Sequence, residues 1–248
     1  MPEAALAILA HPDDAEFLCA GTLVRLYRER GWSIHIATMT AGDCGSAEHS
    51  ADEISRIRRA EAAAAAGLVG GEYHCLDERD LLVSYTEPAL IKTTRLLRRV
   101  RPSVVLTHSP DDYHLDHEMT SKLARGAAFA ASVPLFRRDE WAPTDRIPHF
   151  YYCDPIEGKD ALGREVTPAF RIDVTTAIDA KTEMLSCHAS QRNWLTKQHG
   201  IDNYLDSMRI WTARRGRDSG VAYAEGFRQH LGHGYPQDNL LAKLLGSV

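Results

Sequence analysis

The sequence has no apolar run near the ~18 residues that a membrane-spanning helix needs. Its longest, Ala4–Ala10 and Ala62–Ala66, are far shorter, and no basic region precedes the first as in a signal peptide. The expectation is a soluble, cytoplasmic chain. A basic excess is also missing: 29 Lys and Arg against 34 Asp and Glu give a net charge of -5, which argues against nucleic-acid and membrane-surface partners. Cysteine is sparse and unpatterned. Five residues, Cys19, Cys44, Cys75, Cys153 and Cys187, form no C-x-x-C pair and fit reduced thiols. No glycine-rich loop follows the first apolar run, so the phosphate cradle of a nucleotide-dependent α/β enzyme is absent. Internal repeats and low-complexity tracts are missing too.

What is present suffices for one large domain: 248 residues, 44% of them hydrophobic. Short apolar or alternating segments at Ala4–Ala10, Trp32–Met39, Glu72–Leu76 and Ser103–His108 read as strands. Helical spacing separates them, over Ala15–Arg30 with Gly31 as the stop, Ala51–Ala66, Glu87–Arg101 with Thr86 as N-cap, and Asp116–Ala131. This alternation predicts an α/β chain with a Rossmann-like, doubly wound, mostly parallel sheet in three layers. Beyond Pro134, His149–Cys153 and Phe170–Val174 read as further strands, Thr175–Ser190 as a helix and Gly232–Pro236 as a turn. A single domain over 1–248 is expected, with about 199–248 as an extension packed on the core.

In such sheets ligands bind beyond the carboxyl ends of the strands. The loop after the first strand is His11-Pro12-Asp13-Asp14, and the loop after the fourth contains His114-Leu115-Asp116-His117. A hydrolytic zinc site takes three His or carboxylate ligands and leaves one position open, and catalysis wants a further unligated carboxylate and a proton donor. The two loops hold enough side chains for both sets. Either loop alone has an ordinary reading as turn chemistry or a helix cap; their convergence at one end of one sheet favours the functional reading. His35, His74 and His149 fall inside or at the start of strands, where packing is the simpler role.

Ala10-His11-Pro12-Asp13-Asp14-Ala15-Glu16 closely resembles the A-H-P-D-D-x-E motif of the PIG-L (LmbE-like) family of zinc-dependent N-acetylglucosaminyl deacetylases. His114-Leu115-Asp116-His117 resembles its H-x-D-H, Arg58-Arg59-Ala60-Glu61 its R-x-x-E, and Lys181 with His188-Ala189-Ser190-Gln191 its K…H-x-S-Q. The four matches run in the family's order from residue 10 to 191. The resemblance implies that His11, Asp14 and His117 bind the metal, that Asp13 is the general base and that His114 is the acid or oxyanion partner. Asp116 would orient His114 or stabilise its cationic form, although spacing alone does not choose between the histidines. Arg58, Asp80 and Asp43 are the implied substrate contacts. Asp43 departs from the pattern, since relatives often carry Glu after the first Gly of that loop.

The implied cofactor is Zn2+, and a His2Asp site also accepts Fe2+, Co2+ or Mn2+. The implied substrate is a small N-acetylated amino sugar or its conjugate, and assembly as a homo-oligomer would follow from the family's habit. Two alternatives stay open here: an amidase for a larger acyl or thiol conjugate, and a sugar-binding module without chemistry.

Overall fold

A computed structural model describes residues 3–136, 140–199 and 203–248. The first strand, β1 (Ala4–Leu9), is buried along its whole length because it is covered on both faces. Its alternation divides the core. Ala5, Ala7 and Leu9 pack with Leu23, Leu26 and Trp32 on one side, whereas Leu6 and Ile8 meet Leu97, Leu123 and Ala127 on the other. Each such buried Leu or Ile contributes about 1.5–3 kcal/mol.

Parallel neighbours flank β1, with β2 (Ser33–Thr40) on one side and β4 (Val104–Thr107) on the other. Adding β3 (Glu72–Glu78), β5 (His149–Cys153), β6 (Phe170–Asp173) and β7 (Ala224–Gln229) gives a seven-stranded sheet of order β3-β2-β1-β4-β5-β7-β6. Only β7 runs antiparallel to its neighbours β5 and β6. The strand order reverses between β1 and β4, and a crevice forms at such a switch point. Helices cover both faces, so the three-layer α/β/α architecture is as expected.

Two helices differ from the sequence reading. The segment expected as one helix over Ala15–Arg30 is broken into α1 (Asp14–Leu18) and α2 (Ala20–Arg30) at Cys19, whose φ is -149°. The break frees the amides of Gly21 and Thr22, which donate to the buried Glu225 carboxylate at 2.9 and 2.8 Å. Likewise Thr175–Ser190 becomes a short 3-10 turn followed by α6 (Ile178–Ser186), with α7 (Ala189–His199) starting afresh after His188. The helices α3 (Ala51–Gly67), α4 (Glu87–Val100) and α5 (Leu115–Ala130) lie close to expectation, and Thr86 caps α4 by accepting from the Ala89 amide.

The C-terminal stretch supplies α8 (Tyr204–Arg217), β7 and α9 (Leu240–Leu245). It does more than pack on the core, because β7 joins β5 to β6 within the sheet. Residues 200–202 of that stretch lie outside the described residues. No helix among the described residues is long and apolar enough to cross a membrane.

At the opposite end of the sheet from the crevice, His35 and His74 stack with ring centroids 5.3 Å apart. Burial, with the Arg99 guanidinium adding to it, lowers the His74 pKa to about 4. The unfolded chain takes up this proton below its ordinary pKa of ~6.5 and the folded chain does not, so stability falls as pH drops from 6.5 towards 4. Thermal unfolding across that window is expected to show a loss of about 2 kcal/mol, discounted for partial solvent screening, that His74→Leu reduces. An unchanged slope in the variant would assign the acid sensitivity elsewhere.

Candidate metal and catalytic centre

The turn after β1 is set by one residue. Asp13 adopts φ 96°, a left-handed conformation that Asp tolerates better than bulkier side chains. Two adjacent carboxylates are thereby sent to different partners. Asp14 turns back under the turn, where Oδ2 accepts the His11 amide at 2.7 Å and Oδ1 lies 3.6 Å from His117 Nε2. Asp13 instead receives the Tyr204 hydroxyl from α8 and lies 3.8 Å from the Arg58 guanidinium.

His11, Asp14 and His117 bring one ligand atom each within 4.8 Å of the others. Their hydrogen bonds fit a cation. His117 Nδ1 donates to Asp112 Oδ1 at 2.9 Å, which leaves the Nε2 lone pair facing Asp14. His11 Nε2 donates to Asp80 Oδ1 at 3.0 Å and lies 3.3 Å from Asp116 Oδ2, which leaves Nδ1 facing Asp14 Oδ2 at 3.5 Å. Each histidine thus spends its N–H on a carboxylate and turns its free nitrogen inward, as metal-ligating histidines do. The surrounding carboxylates make the pocket strongly negative. Burial opposes charge on His11, yet Asp116, Asp14 and Asp80 hold it well above its ordinary pKa; burial would raise Asp14, yet His117 and His108 hold it well below. This excess of negative charge is what a bound cation neutralises.

His114 caps α5, and its Nδ1 accepts the Asp116 amide at 3.1 Å. The ring hydrogen therefore sits on Nε2. Burial, followed by the neighbouring His11 and His117, lowers the His114 pKa. The Asp116 carboxylate serves His11, not the His114 ring, and accepts the amides of Leu81 and Val83 at 2.7 and 3.2 Å.

Arg58, from α3, does not pair along its helix with Glu53 or Glu61. It is buried and donates to the carbonyls of Pro12 at 2.9 Å and Gly42 at 3.3 Å. Gly42 has φ 69°, and a Cβ there would stand 2.0 Å from Arg58 Nη1, so glycine is required. Glu61 instead accepts from the Ser190 amide and hydroxyl at 2.9 and 2.6 Å, tying the R-x-x-E and H-x-S-Q segments together.

Asp13, Asp14, His11, His114, His117, Arg58 and Asp80 all line one cavity of about 760 Å3. Asp43 does not. Its carboxylate accepts the Asp80 amide at 2.8 Å and pairs with Arg79 at 2.9 Å, so here it shapes the loop that carries Asp80. Burial raises the Asp13 pKa against the pull of Arg58.

Three residues escaped the sequence reading. Asp112 and His108 both lie in the loop that follows the fourth strand, and an additional acid and histidine there were the available signal. His108 is fully buried, stacks on His117 with centroids 3.9 Å apart and places Nε2 3.1 Å from Asp14 Oδ2. Tyr204 lies 191 residues from Asp13 and gave no signal at all. His188, from the H-x-S-Q segment, is buried 3.4 Å from Glu16.

A switch-point crevice holding a His2Asp cluster beside an unligated carboxylate is the layout of a metal hydrolase centre. Residues 6–128 match the PIG-L family, described as GlcNAc-PI de-N-acetylase. Among related proteins, the chain is 27% identical to the 4-oxalmesaconate hydratase of Pseudomonas putida, covering 91% of this chain and 88% of that protein. It is also 27% identical to the diacetylchitobiose deacetylase of Thermococcus kodakarensis, covering 90% and 81%. The fold matches the N,N'-diacetylchitobiose deacetylase structure from Pyrococcus horikoshii with a TM-score of 0.77 at 24% identity, over 96% of this chain and 88% of that one. The homologues are thus deacetylases of GlcNAc-type substrates, with a hydratase also related.

Proposed function

We propose that this chain is a zinc-dependent deacetylase that removes the acetyl group from an N-acetylglucosamine-type sugar or conjugate. Its place is the cytoplasm, and its single domain includes the C-terminal extension as part of the site. The observation that carries this reading is the divergence of Asp13 and Asp14 at one turn, which keeps a carboxylate free for proton transfer beside a ligand set. Zinc held by His11, Asp14 and His117 would lower the pKa of a water towards ~7 and polarise a carbonyl.

The side chains handle the protons. Asp13 removes one from the attacking water as the oxygen bonds to the acyl carbon. His114, its Nδ1 committed to the Asp116 amide, offers a neutral Nε2–H to the developing oxyanion. A protonated ring would set two hydrogens against each other there, so the role as oxyanion donor fits better than that of acid. Asp13 then returns its proton to the nitrogen as the C–N bond breaks, giving acetate and an amine. Tyr204 and Arg58 hold Asp13 in place, and Asp116 and Asp80 hold His11.

The related hydratase suggests a second way of adding water, to a carboxylate-rich alkene. The cavity weighs against it. Arg58 is the one Lys or Arg lining it among the described residues, and its guanidinium is already committed to two backbone carbonyls.

Acetate release from N-acetylglucosamine conjugates, with metal content measured on the same sample, tests the proposal. Release is expected to stop with a chelator and return with zinc. His117→Ala is expected to lose metal by about 10–100-fold in affinity or more, together with its activity. Protein with one equivalent of metal and no acetate release would point to a larger acyl group or a binding module.

A further inference from the structure

The cavity is larger than the constellation of catalytic side chains requires and falls within the ~300–1,000 Å3 typical of sites that enclose drug-sized ligands. Its second half has a different character from the first. The Tyr204 ring, whose hydroxyl reaches Asp13, meets Phe17 at 5.2 Å, and Phe17 meets Trp211 at 5.8 Å. A line of three aromatic rings therefore leads outward from the general base. Trp194 and Leu195 of α7 and Ile156 line the same cavity. Both tryptophans are half-buried, so part of each ring faces the space. Two of the four tryptophans in the chain are thus spent on this one cavity.

Charge narrows the ligand further. Asp13, Asp14, Asp80 and Glu157 line the cavity against the single Arg58. Away from the metal ligands an anionic group meets no Lys or Arg other than the buried Arg58, whereas an uncharged flat group finds ring surface and aliphatic side chains. Resting on the deacetylase reading, we propose that Phe17, Trp194 and Trp211 form an aglycone subsite for a planar, uncharged apolar group. The substrate class is then an aryl-type conjugate of an N-acetylated amino sugar, in preference to the free sugar or a disaccharide.

The zinc-loaded full chain is assayed with three probes: a naphthyl N-acetyl-β-glucosaminide, its methyl counterpart and N,N'-diacetylchitobiose. The naphthyl conjugate is expected to exceed the methyl one by about tenfold or more in kcat/KM, through KM, with the disaccharide close to methyl. Trp211→Ala and Trp194→Ala should bring the naphthyl-to-methyl ratio to roughly one, whereas Trp211→Phe keeps most of it. A wild-type ratio near one, a preference for the disaccharide, or a ratio untouched by both alanine variants overturns the subsite. Calorimetric binding of the naphthyl and methyl probes separates this from the underlying chemistry. Tighter naphthyl binding, lost in Trp211→Ala, without acetate release from any probe keeps the subsite and removes the deacetylase; equal binding with release from all three does the reverse.

Discussion

Replacement of Asp13 by Asn is expected to lower kcat by about 10²–10⁴-fold while leaving the metal content at the wild-type level. Asn is nearly isosteric, tolerates the left-handed backbone at this position and can still accept the Tyr204 hydroxyl through its oxygen. It cannot take a proton from water. Asp14→Asn provides the contrast, since Asp14 accepts the His11 amide and faces His117, and its loss should empty the site of metal. Metal analysis and turnover on the same samples distinguish the two. An Asp13→Asn protein that keeps its rate would remove Asp13 as base, and one that loses metal would mean that the two carboxylates exchange roles.

The second large effect is on stability. Lys181 is fully buried, with Nζ 2.7 Å from Glu225 Oε1 and 3.1 Å from the Phe17 carbonyl. Glu225 in turn accepts the Gly21 and Thr22 amides and the Thr22 hydroxyl. Lys181→Met leaves that carboxylate buried without its counter-charge, and breaking such a pair from one side costs about 3–5 kcal/mol. For a chain of this size that lowers Tm by about 10 °C. Adding Glu225→Gln removes the orphaned charge and should recover much of the loss. A single variant within about 1 kcal/mol of wild type in denaturant titration would show that the pair contributes little.

These two residues also mark how far the sequence could be read. Lys181 was recognisable as part of a motif, but its task, holding Glu225 where α2 begins, depends on a strand that the sequence conceals. β7 reads Ala-Glu-Gly-Phe-Arg-Gln, with two charges, a glycine and no β-branched residue, so neither alternation nor propensity marks it. Its buried Glu225 is tolerable only opposite Lys181, and a Cβ on its Gly226 would come within 2.2 Å of Asp154 Oδ2. The parallel half of the sheet was legible because its strands are apolar runs punctuated by Gly, Pro and caps. The clustering of His11, Asp14 and His117 was legible for a related reason, since they lie in two short loops that the sheet order brings together. The partners of those side chains were less so: Asp116 sits beside His114 in sequence yet serves His11, and Asp43 carries the expected charge yet spends it on the neighbouring loop.

The contact between Tyr204 and Asp13 has a consequence for assembly of the chain. Asp13 and the loops that meet around it are made by residue 117, but its hydroxyl partner and the strand joining β5 to β6 follow only at residues 204–229. Contacts of such sequence separation form late, after the local helices and the parallel strands have closed. The turn that carries Asp13 and Asp14 can thus close before Tyr204 is available, and Asp13 gains its hydroxyl contact only when α8 docks.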